Sequence, residues 1–149
     1  MVASVPHGHC KTIRTIAVLS PKGIIASARF DGGTTAAKFV EFIGHQLVPV
    51  LRQGRGLVLD NLAAHNDRRA DARIEAAGCR VLRRPPYSPD LNPIENAISK
   101  VQTVLRKLAR RTVPGLFQGI AQALPTVTAA DAKAFIAHCG YATKRCKPL

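Results

Sequence analysis

Two short strand patterns separated by a helical one limit most strongly how this chain can fold. Residues 56–59 form an apolar run that stops at Asp60, and residues 79–83 form a second strand pattern. Residues 67–77, between them, have the composition of a polar helix, and Gly78 is placed to end it. A strand, a helix and a strand in this order predict a parallel pair in an α/β layer. The first strand is expected to be buried on both faces.

Upstream of this unit, the pattern predicts a hairpin and a helix. Residues 11–20 and 23–30 are rich in β-branched and apolar side chains and are joined by a Ser-Pro-Lys-Gly turn. Residues 34–51 place apolar side chains at helical spacing, which indicates one buried face. That face consists of Phe39, Phe42, Ile43, Leu47 and Val50.

Downstream, the chain is predicted to be helical. A long helix over residues 92–111 has a buried stripe, and two shorter helices are expected near residues 114–124 and 129–139. The stripe consists of Ile94, Ile98, Val101, Leu105 and Leu108. At 149 residues, the chain is long enough for one domain with a core. Residues 1–142 are predicted to form that domain, followed by a basic tail over residues 143–149.

Basic residues dominate the charged composition. Lys and Arg number 22 against 9 Asp and Glu, which gives a net charge of +13. This balance predicts a polyanionic partner, because basic side chains that neutralise phosphates release counterions. The alternative is a basic protein without a nucleic-acid partner. The side chains expected to bind DNA lie on the long helix and are Lys100, Arg106, Lys107, Arg110 and Arg111.

Cysteine spacing and hydropathy narrow the class of protein further. Cys10, Cys79, Cys139 and Cys146 form no Cys-x-x-Cys pair, so reduced intracellular thiols are expected and a zinc site is disfavoured. The sequence contains no signal-peptide core and no apolar run long enough to span a bilayer. We therefore expect a cytoplasmic, nucleoid-associated protein with no membrane partner.

Two carboxylates, Asp60 and Glu95, are candidates for a catalytic or metal-binding role. Asp60 follows a buried strand, and ligand sites of α/β sheets gather at the carboxyl ends of strands, although Asp-Asn is also common turn chemistry. Glu95 ends the segment PPYSPDLNPIE, residues 85–95. It could be a capping residue, since Asn92 fits an N-cap and Pro93 the first helical position. Two carboxylates that meet at one sheet edge would instead hold Mg²⁺, which prefers hard oxygen ligands.

Two motifs carry a family resemblance. LVLDNLAAHN at residues 57–66 and RRPPYSPDLNPIEN at residues 83–96 resemble the catalytic core of the mariner-like insertion-sequence transposases, in the Asp-Asp-Glu (DDE) superfamily of endonucleases. There are 34 residues between Asp60 and Glu95, the separation expected of the family's second and third acids. The chain is similar to the family in order and spacing over residues 4–141.

The resemblance implies a ribonuclease-H-like fold, a mixed sheet flanked by helices, and two-metal phosphoryl transfer on DNA. Asp60 and Glu95 would then be catalytic residues and ligands of Mg²⁺ or Mn²⁺. The complete two-metal site is expected only if the family's first aspartate is also supplied. Asn61 and His65 fit the family's Asp-Asn-x-x-x-His pattern and could lie next to the metal ligands without binding the metal themselves. The alternative for His65 is a structural hydrogen-bonding role. Three polar residues of the loop are expected to shape it rather than to react: Tyr87, Ser88 and Asp90.

The family's first catalytic aspartate has no counterpart in this sequence. Residues 1–30 contain no Asp or Glu, and Asp31 belongs to an Asp-Gly-Gly turn after the hairpin. The resemblance therefore implies the C-terminal portion of a transposase, without the first strand of the sheet and without the family's helix-turn-helix region. Loss of a central strand would make residues 11–20 pair directly with residues 56–60, or would leave two open edges that favour aggregation.

Two functions are compatible with this incomplete set of acids. In the first, the chain is a catalytic domain for DNA cleavage and strand transfer that is inactive alone. It receives the missing aspartate from a separately encoded or fused N-terminal segment. Its partners would be transposon ends, target DNA and a second copy of the chain. In the second, the chain is a catalytically dead remnant that only binds nucleic acid. An adjacent upstream reading frame encoding a strand with an aspartate would favour the first.

Overall fold

The chain forms a mixed α/β structure, as predicted. The residues described by the computed structural model are 2–5, 13–59, 66–85 and 92–141. They belong to two compact units, residues 1–18 with 25–88 and residues 19–24 with 89–149. The strands are β1 (Val2–Val5), β2 (Ile13–Ser20), β3 (Gly23–Asp31), β4 (Gly56–Leu59) and β5 (Arg80–Arg83). The α-helices are α1 (Ala36–Phe42), α2 (Arg68–Ala76), α3 (Pro93–Leu108), α4 (Val113–Ala123) and α5 (Ala129–His138).

The first sheet has the strand order β1-β2-β3. β2 and β3 form the predicted hairpin, and only Pro21 and Lys22 separate them. β1 pairs antiparallel with β2, with Val2 opposite Ile16. β1 was not predicted, although its Val-Ala-Ser-Val sequence suits a strand.

The presence of β1 corrects the expected pairing of the hairpin. β2 has β1 on one side and β3 on the other, so both of its edges are hydrogen-bonded. The expectation that residues 11–20 pair directly with residues 56–60 is therefore wrong. The physical reason is that a β-forming segment lies close enough in the chain to fold back on β2, where it satisfies the backbone groups of that edge.

The second sheet is the predicted parallel pair, β4 and β5, connected by α2. Side chains alternate between the two faces of a strand. Leu57 and Leu59 are buried, whereas Val58 is 41% exposed and its partner Leu82 is 52% exposed. The expected burial of β4 on both faces is therefore wrong, because one face packs on the core and the other leaves this apolar pair in contact with solvent.

α1 starts at the N-cap Thr35, whose side chain accepts a backbone N–H of the first turn. The helix continues as a π-helical turn, Ile43–Leu47, and a 3₁₀ turn, Val48–Val50. Four residues of the predicted apolar face are buried, but Val50 is 43% exposed. Two changes of helical pitch rotate Val50 away from that face. The four buried residues are Phe39, Phe42, Ile43 and Leu47.

Arg73 of α2 lies against the π-helical turn. Its Nη1 donates a hydrogen bond to the carbonyl of Val40 at 3.2 Å. A Cβ atom built on Gly44 would lie 1.9 Å from the same Nη1. Gly44 therefore leaves the space that the guanidinium occupies.

The first unit has one hydrophobic core, to which both sheets and two helices contribute. α2 begins at the N-cap Asp67, which accepts the Arg69 N–H at 2.8 Å, and Gly78 follows its end with φ 77°. Both features agree with the predicted helix. The fully buried part of the core consists of Ile16, Phe39, Phe42, Ile43, Leu47, Ala70 and Ile74.

The second unit is built around α3, which packs against α4 and α5. The predicted stripe of α3 is buried except at Leu108, which is partly exposed. The tip of the β2–β3 hairpin, residues 19–24, also belongs to this unit. There Gly23 has φ 113°, and a Cβ atom built on it would lie 2.9 Å from the carbonyl oxygen of Val127. The close approach of these two backbones requires glycine.

α3 ends at Ala109, which has φ 47° and ψ 35°. Its N–H donates to the carbonyl of Leu105 at 3.2 Å, a left-handed helix end of the kind that usually employs glycine. Among the described residues, Ala109 is the one non-glycine residue with positive φ.

Candidate active site

The described residues of β4 extend to the position directly before Asp60, the first of the two predicted catalytic residues. β4 is described to Leu59, the residue bonded to Asp60. Asp60, Asn61 and His65 lie outside the described residues, as do Tyr87, Ser88 and Asp90. The convergence of Asp60 with Glu95 at one metal site therefore stays a prediction.

The end of β4 is fixed in register by β5. Leu59 lies opposite Arg83 in the parallel ladder, and the backbone N–H of Arg84 donates to the carbonyl of Leu59 at 3.1 Å. The strand that leads to Asp60 is therefore hydrogen-bonded to its neighbour up to its last described residue. The predicted position of Asp60, directly after a paired strand, agrees with this ladder.

Glu95 lies in the first turn of α3 and is exposed. Pro93 occupies the first helical position and Asn92 the N-cap, as predicted. The Asn92 side chain, however, makes no capping hydrogen bond, and the Glu95 N–H donates instead to the Asn92 carbonyl at 3.0 Å. A capping box requires the side-chain bond, so the capping box considered for Glu95 is absent. Within the described residues, the Glu95 carboxylate forms no ion pair.

The basic residues predicted to bind DNA fall into two groups. Arg106, Lys107, Arg110 and Arg111 are exposed at and beyond the end of α3. Lys100 instead forms an ion pair with Asp131 of α5, with Nζ 2.5 Å from Oδ2. Its charge is already compensated within the second unit.

Asp131 also takes part in the capping box of α5, whose N-cap residue is Thr128. The Thr128 side chain accepts the Asp131 N–H, and Asp131 Oδ2 accepts the Thr128 N–H, which completes a capping box. The hydrogen bond from Lys100, followed by the bonds from Thr128, lowers the pKa of Asp131 to about 2. Local sequence patterns do not predict this interaction, because 31 positions separate Lys100 from Asp131.

Two adjacent arginines at the end of β5 have different surroundings. Arg83 Nη2 lies 2.8 Å from both carboxylate oxygens of Asp71 on α2. Arg84 is partly exposed, and its Nε is buried with no hydrogen-bond acceptor in the described part of the chain. Arg84 entered the sequence predictions only as part of a motif. The signal that could have identified it was its position one residue beyond β5, next to Arg83, which the parallel register places opposite Leu59.

No group of three or more His, Cys, Asp or Glu side chains capable of holding a metal ion occurs among the described residues. Of the two carboxylates predicted to bind Mg²⁺, only Glu95 is among them. Its exposed carboxylate has the hard-oxygen chemistry that Mg²⁺ or Mn²⁺ requires. None of the helices in the described ranges has the length and apolarity needed to cross a membrane.

Comparison with known proteins gave a family and a set of similar structures. Residues 3–114 match the family described as DDE superfamily endonuclease, and this range contains both motifs noted in the sequence. The crystal structure of the catalytic domain of Mos1 mariner transposase superposes with a TM-score of 0.75 at 15% identity, covering 93% of this chain and 74% of that one. No curated protein sequence matched.

Two further structures place the fold in a wider group. The Mos1 mariner paired end complex with Mn gives a TM-score of 0.72 at 17% identity, covering 92% of this chain and 43% of that one. The catalytic core domain of BIV integrase gives 0.57 at 16% identity, covering 92% of this chain and 93% of that one. These similarities confirm the predicted ribonuclease-H-like fold.

Proposed function

Because this chain belongs to the DDE superfamily endonuclease family, whose model matches residues 3–114, we propose that it is a transposase catalytic domain. Its reaction would be DNA cleavage and strand transfer in the movement of an insertion sequence. The observation that carries the proposal is the family match together with the fold of the mariner transposase catalytic domain.

In this proposal, Asp60 and Glu95 are the catalytic carboxylates. Asp60 directly follows the ordered ladder of β4 and β5, and Glu95 is exposed in the first turn of α3 without a capping box. Structures of the Mos1 catalytic domain with Mg and with Mn support a divalent ion as the cofactor. Such an ion supplies Lewis acidity to phosphoryl transfer, and the two carboxylates would hold it. Asn61 and His65 would orient the surrounding hydrogen bonds.

The DNA partner is supported by charge. The net charge is +13, and four basic side chains at the end of α3 are exposed. The Mos1 transposase has been solved as a paired-end complex with the left transposon end. We propose that DNA binds this chain through phosphate contacts, and that Lys100 contributes less than the other basic residues because Asp131 already pairs with it.

The first catalytic aspartate would come from another polypeptide segment, since residues 1–30 contain no acid. Residues 1–142 would act as the catalytic domain and residues 143–149 as a basic tail. A second copy of the chain would complete the assembly on two transposon ends. The same lack of an acid favours the second candidate, a remnant that binds nucleic acid without cleaving it.

Binding of Mn²⁺ tests the shared metal site. We expect Asp60→Asn and Glu95→Gln each to weaken Mn²⁺ binding by at least ~10-fold, because each removes one carboxylate ligand. Glu75→Gln, on the exposed side of α2, is the matched control and should leave binding unchanged. Equal affinities for all four proteins would show that Asp60 and Glu95 do not share a metal.

Plasmid nicking with Mn²⁺ separates the two candidate functions. The chain alone should leave supercoiled DNA intact. Coexpression with the polypeptide encoded directly upstream should give nicking that Glu95→Gln abolishes. If the combined proteins bind DNA and never nick it, the chain is the non-catalytic remnant.

A further inference from the structure

Arg84 occupies a defined place beside the predicted catalytic strand. Its backbone N–H is bonded to the carbonyl of Leu59, and Leu59 is covalently followed by Asp60. Ligands of α/β sheets bind at the carboxyl ends of parallel strands, where side chains from adjacent strands meet. Arg84 is the first residue after β5 at that end of the pair.

The two neighbouring arginines differ in the hydrogen-bond acceptors that the described part of the protein provides for them. Arg83 Nη2 donates hydrogen bonds to both carboxylate oxygens of Asp71, each at 2.8 Å. The Arg84 Nε is buried, and no acceptor for it exists in the described part of the chain. A buried donor without an acceptor is destabilising, and rotation of this partly exposed side chain towards an external ligand would give the Nε the acceptor that the fold does not provide.

The chemistry of that ligand follows from the donor and from the composition. A guanidinium is a planar set of N–H donors that matches the oxygens of a phosphate or carboxylate. Carboxylates are scarce, with 9 acids against 22 Lys and Arg, and Asp67, Asp71 and Asp131 already pair with other bases. We propose that Arg84 binds a phosphodiester oxygen of the DNA strand held beside Asp60. This inference rests on the proposed function and adds a residue to its DNA-binding surface.

The test is the salt dependence of DNA binding, measured by fluorescence anisotropy with a labelled duplex. Loss of one phosphate contact reduces the slope of log K against log salt by about 0.9. We expect that reduction for Arg84→Gln, with a dissociation constant roughly 5- to 30-fold weaker at low salt. Arg84→Lys should keep the slope and recover part of the affinity, because it keeps the charge and loses only the planar donor set.

Thermal unfolding without DNA separates binding from structure, with Arg83 as the matched control. Arg83→Gln should lower the melting temperature, because Asp71 loses its partner, and should leave the salt slope unchanged. Arg84→Met, which places a methyl group where the Nε lies, should keep or raise the melting temperature, because it removes a donor that the fold leaves unsatisfied. A protein in which Arg84 is merely structural would instead melt at a lower temperature after this change.

Three results would overturn the inference. If the wild-type protein binds DNA and Arg84→Gln leaves the salt slope unchanged, the proposed Arg84 contact is refuted but the proposed function is not. Equal loss of slope in Arg83→Gln shows that the effect is general charge rather than a contact. If the wild-type chain shows no salt-dependent DNA binding, the proposed function fails and this inference fails with it.

Discussion

Lys100 on α3 and Asp131 on α5 form an ion pair with 2.5 Å between Nζ and Oδ2, and the same carboxylate accepts the backbone N–H of Thr128, the N-cap residue of its own helix. One side chain thus joins two helices and closes the first turn of one of them. The ion pair requires the charged carboxylate, and the charge also strengthens the hydrogen bonds that the carboxylate accepts from Thr128. The second unit should therefore respond to protonation of a single residue.

The pH dependence follows from the lowered pKa of Asp131. The pKa falls from 3.8 to about 2 because Lys100 and Thr128 donate hydrogen bonds to the carboxylate. The folded state then binds the proton more weakly than the unfolded state, so the contribution to stability is present above the ordinary pKa. It is lost as the pH falls from about 4 towards 2. Melting temperatures of wild type and Asp131→Asn should differ at neutral pH and converge near pH 2. A difference that does not change with pH would contradict this assignment.

Ala109→Gly should stabilise the protein. Ala109 has φ 47°, a left-handed conformation that glycine adopts without steric cost. We expect a gain of about 0.5–1 kcal/mol in the free energy of unfolding, measured with urea. Ser99→Gly, at an exposed position within α3, is the control and should cost roughly 0.5 kcal/mol, because glycine is a poor helix former. A loss of stability in both variants would show that Ala109 is not held in the left-handed conformation.

Gly23→Ala should destabilise the hairpin tip. The φ of 113° is unfavourable for alanine, and its Cβ would lie 2.9 Å from the Val127 carbonyl oxygen. We expect a cost above about 2 kcal/mol in urea unfolding. Gly32→Ala separates the two causes, since Gly32 has φ 83° and nothing within 4 Å of a built Cβ. It should cost only about 1 kcal/mol, and equal costs would mean that the contact with Val127 is unimportant.

The basic residues of α3 and its C-terminal end should not contribute equally to DNA binding. Replacing one of the exposed residues proposed to contact phosphate, such as Arg110 with Gln, should reduce the salt slope by about 0.9. Lys100→Gln should have a smaller effect on the slope and should lower the melting temperature, since it leaves Asp131 unpaired. A larger slope change for Lys100→Gln would contradict the division into two groups. The exposed group consists of Arg106, Lys107, Arg110 and Arg111.

Local sequence patterns predicted most of the elements. The parallel pair of β4 and β5 and the helices around them follow from apolar spacing within short windows. The start of α3 at Asn92 and Pro93 follows from cap chemistry. Patterns of this kind depend on residues that are neighbours in the chain, so the sequence is sufficient to predict them.

Features that depend on distant contacts were not predicted. β1 is only four residues long, and its pairing with β2 joins residues that a short window does not compare. Val50 and Val58 were expected to be buried, but their exposure depends on a change of helical pitch and on what covers the outer face of β4. The unsatisfied Nε of Arg84 likewise appears only once the surrounding chain is placed.

The contact between Gly44 and Arg73 has a consequence for how this sequence can change during evolution. Any side chain at position 44 would enter the place of the Arg73 guanidinium, which is bonded to the Val40 carbonyl. Descendants of this chain can gain a side chain there only if the guanidinium moves away or a shorter residue replaces Arg73, and either change breaks that bond. A side chain at position 44 is therefore expected only together with loss of the Arg73 bond to the Val40 carbonyl, through movement of the guanidinium or through substitution of Arg73.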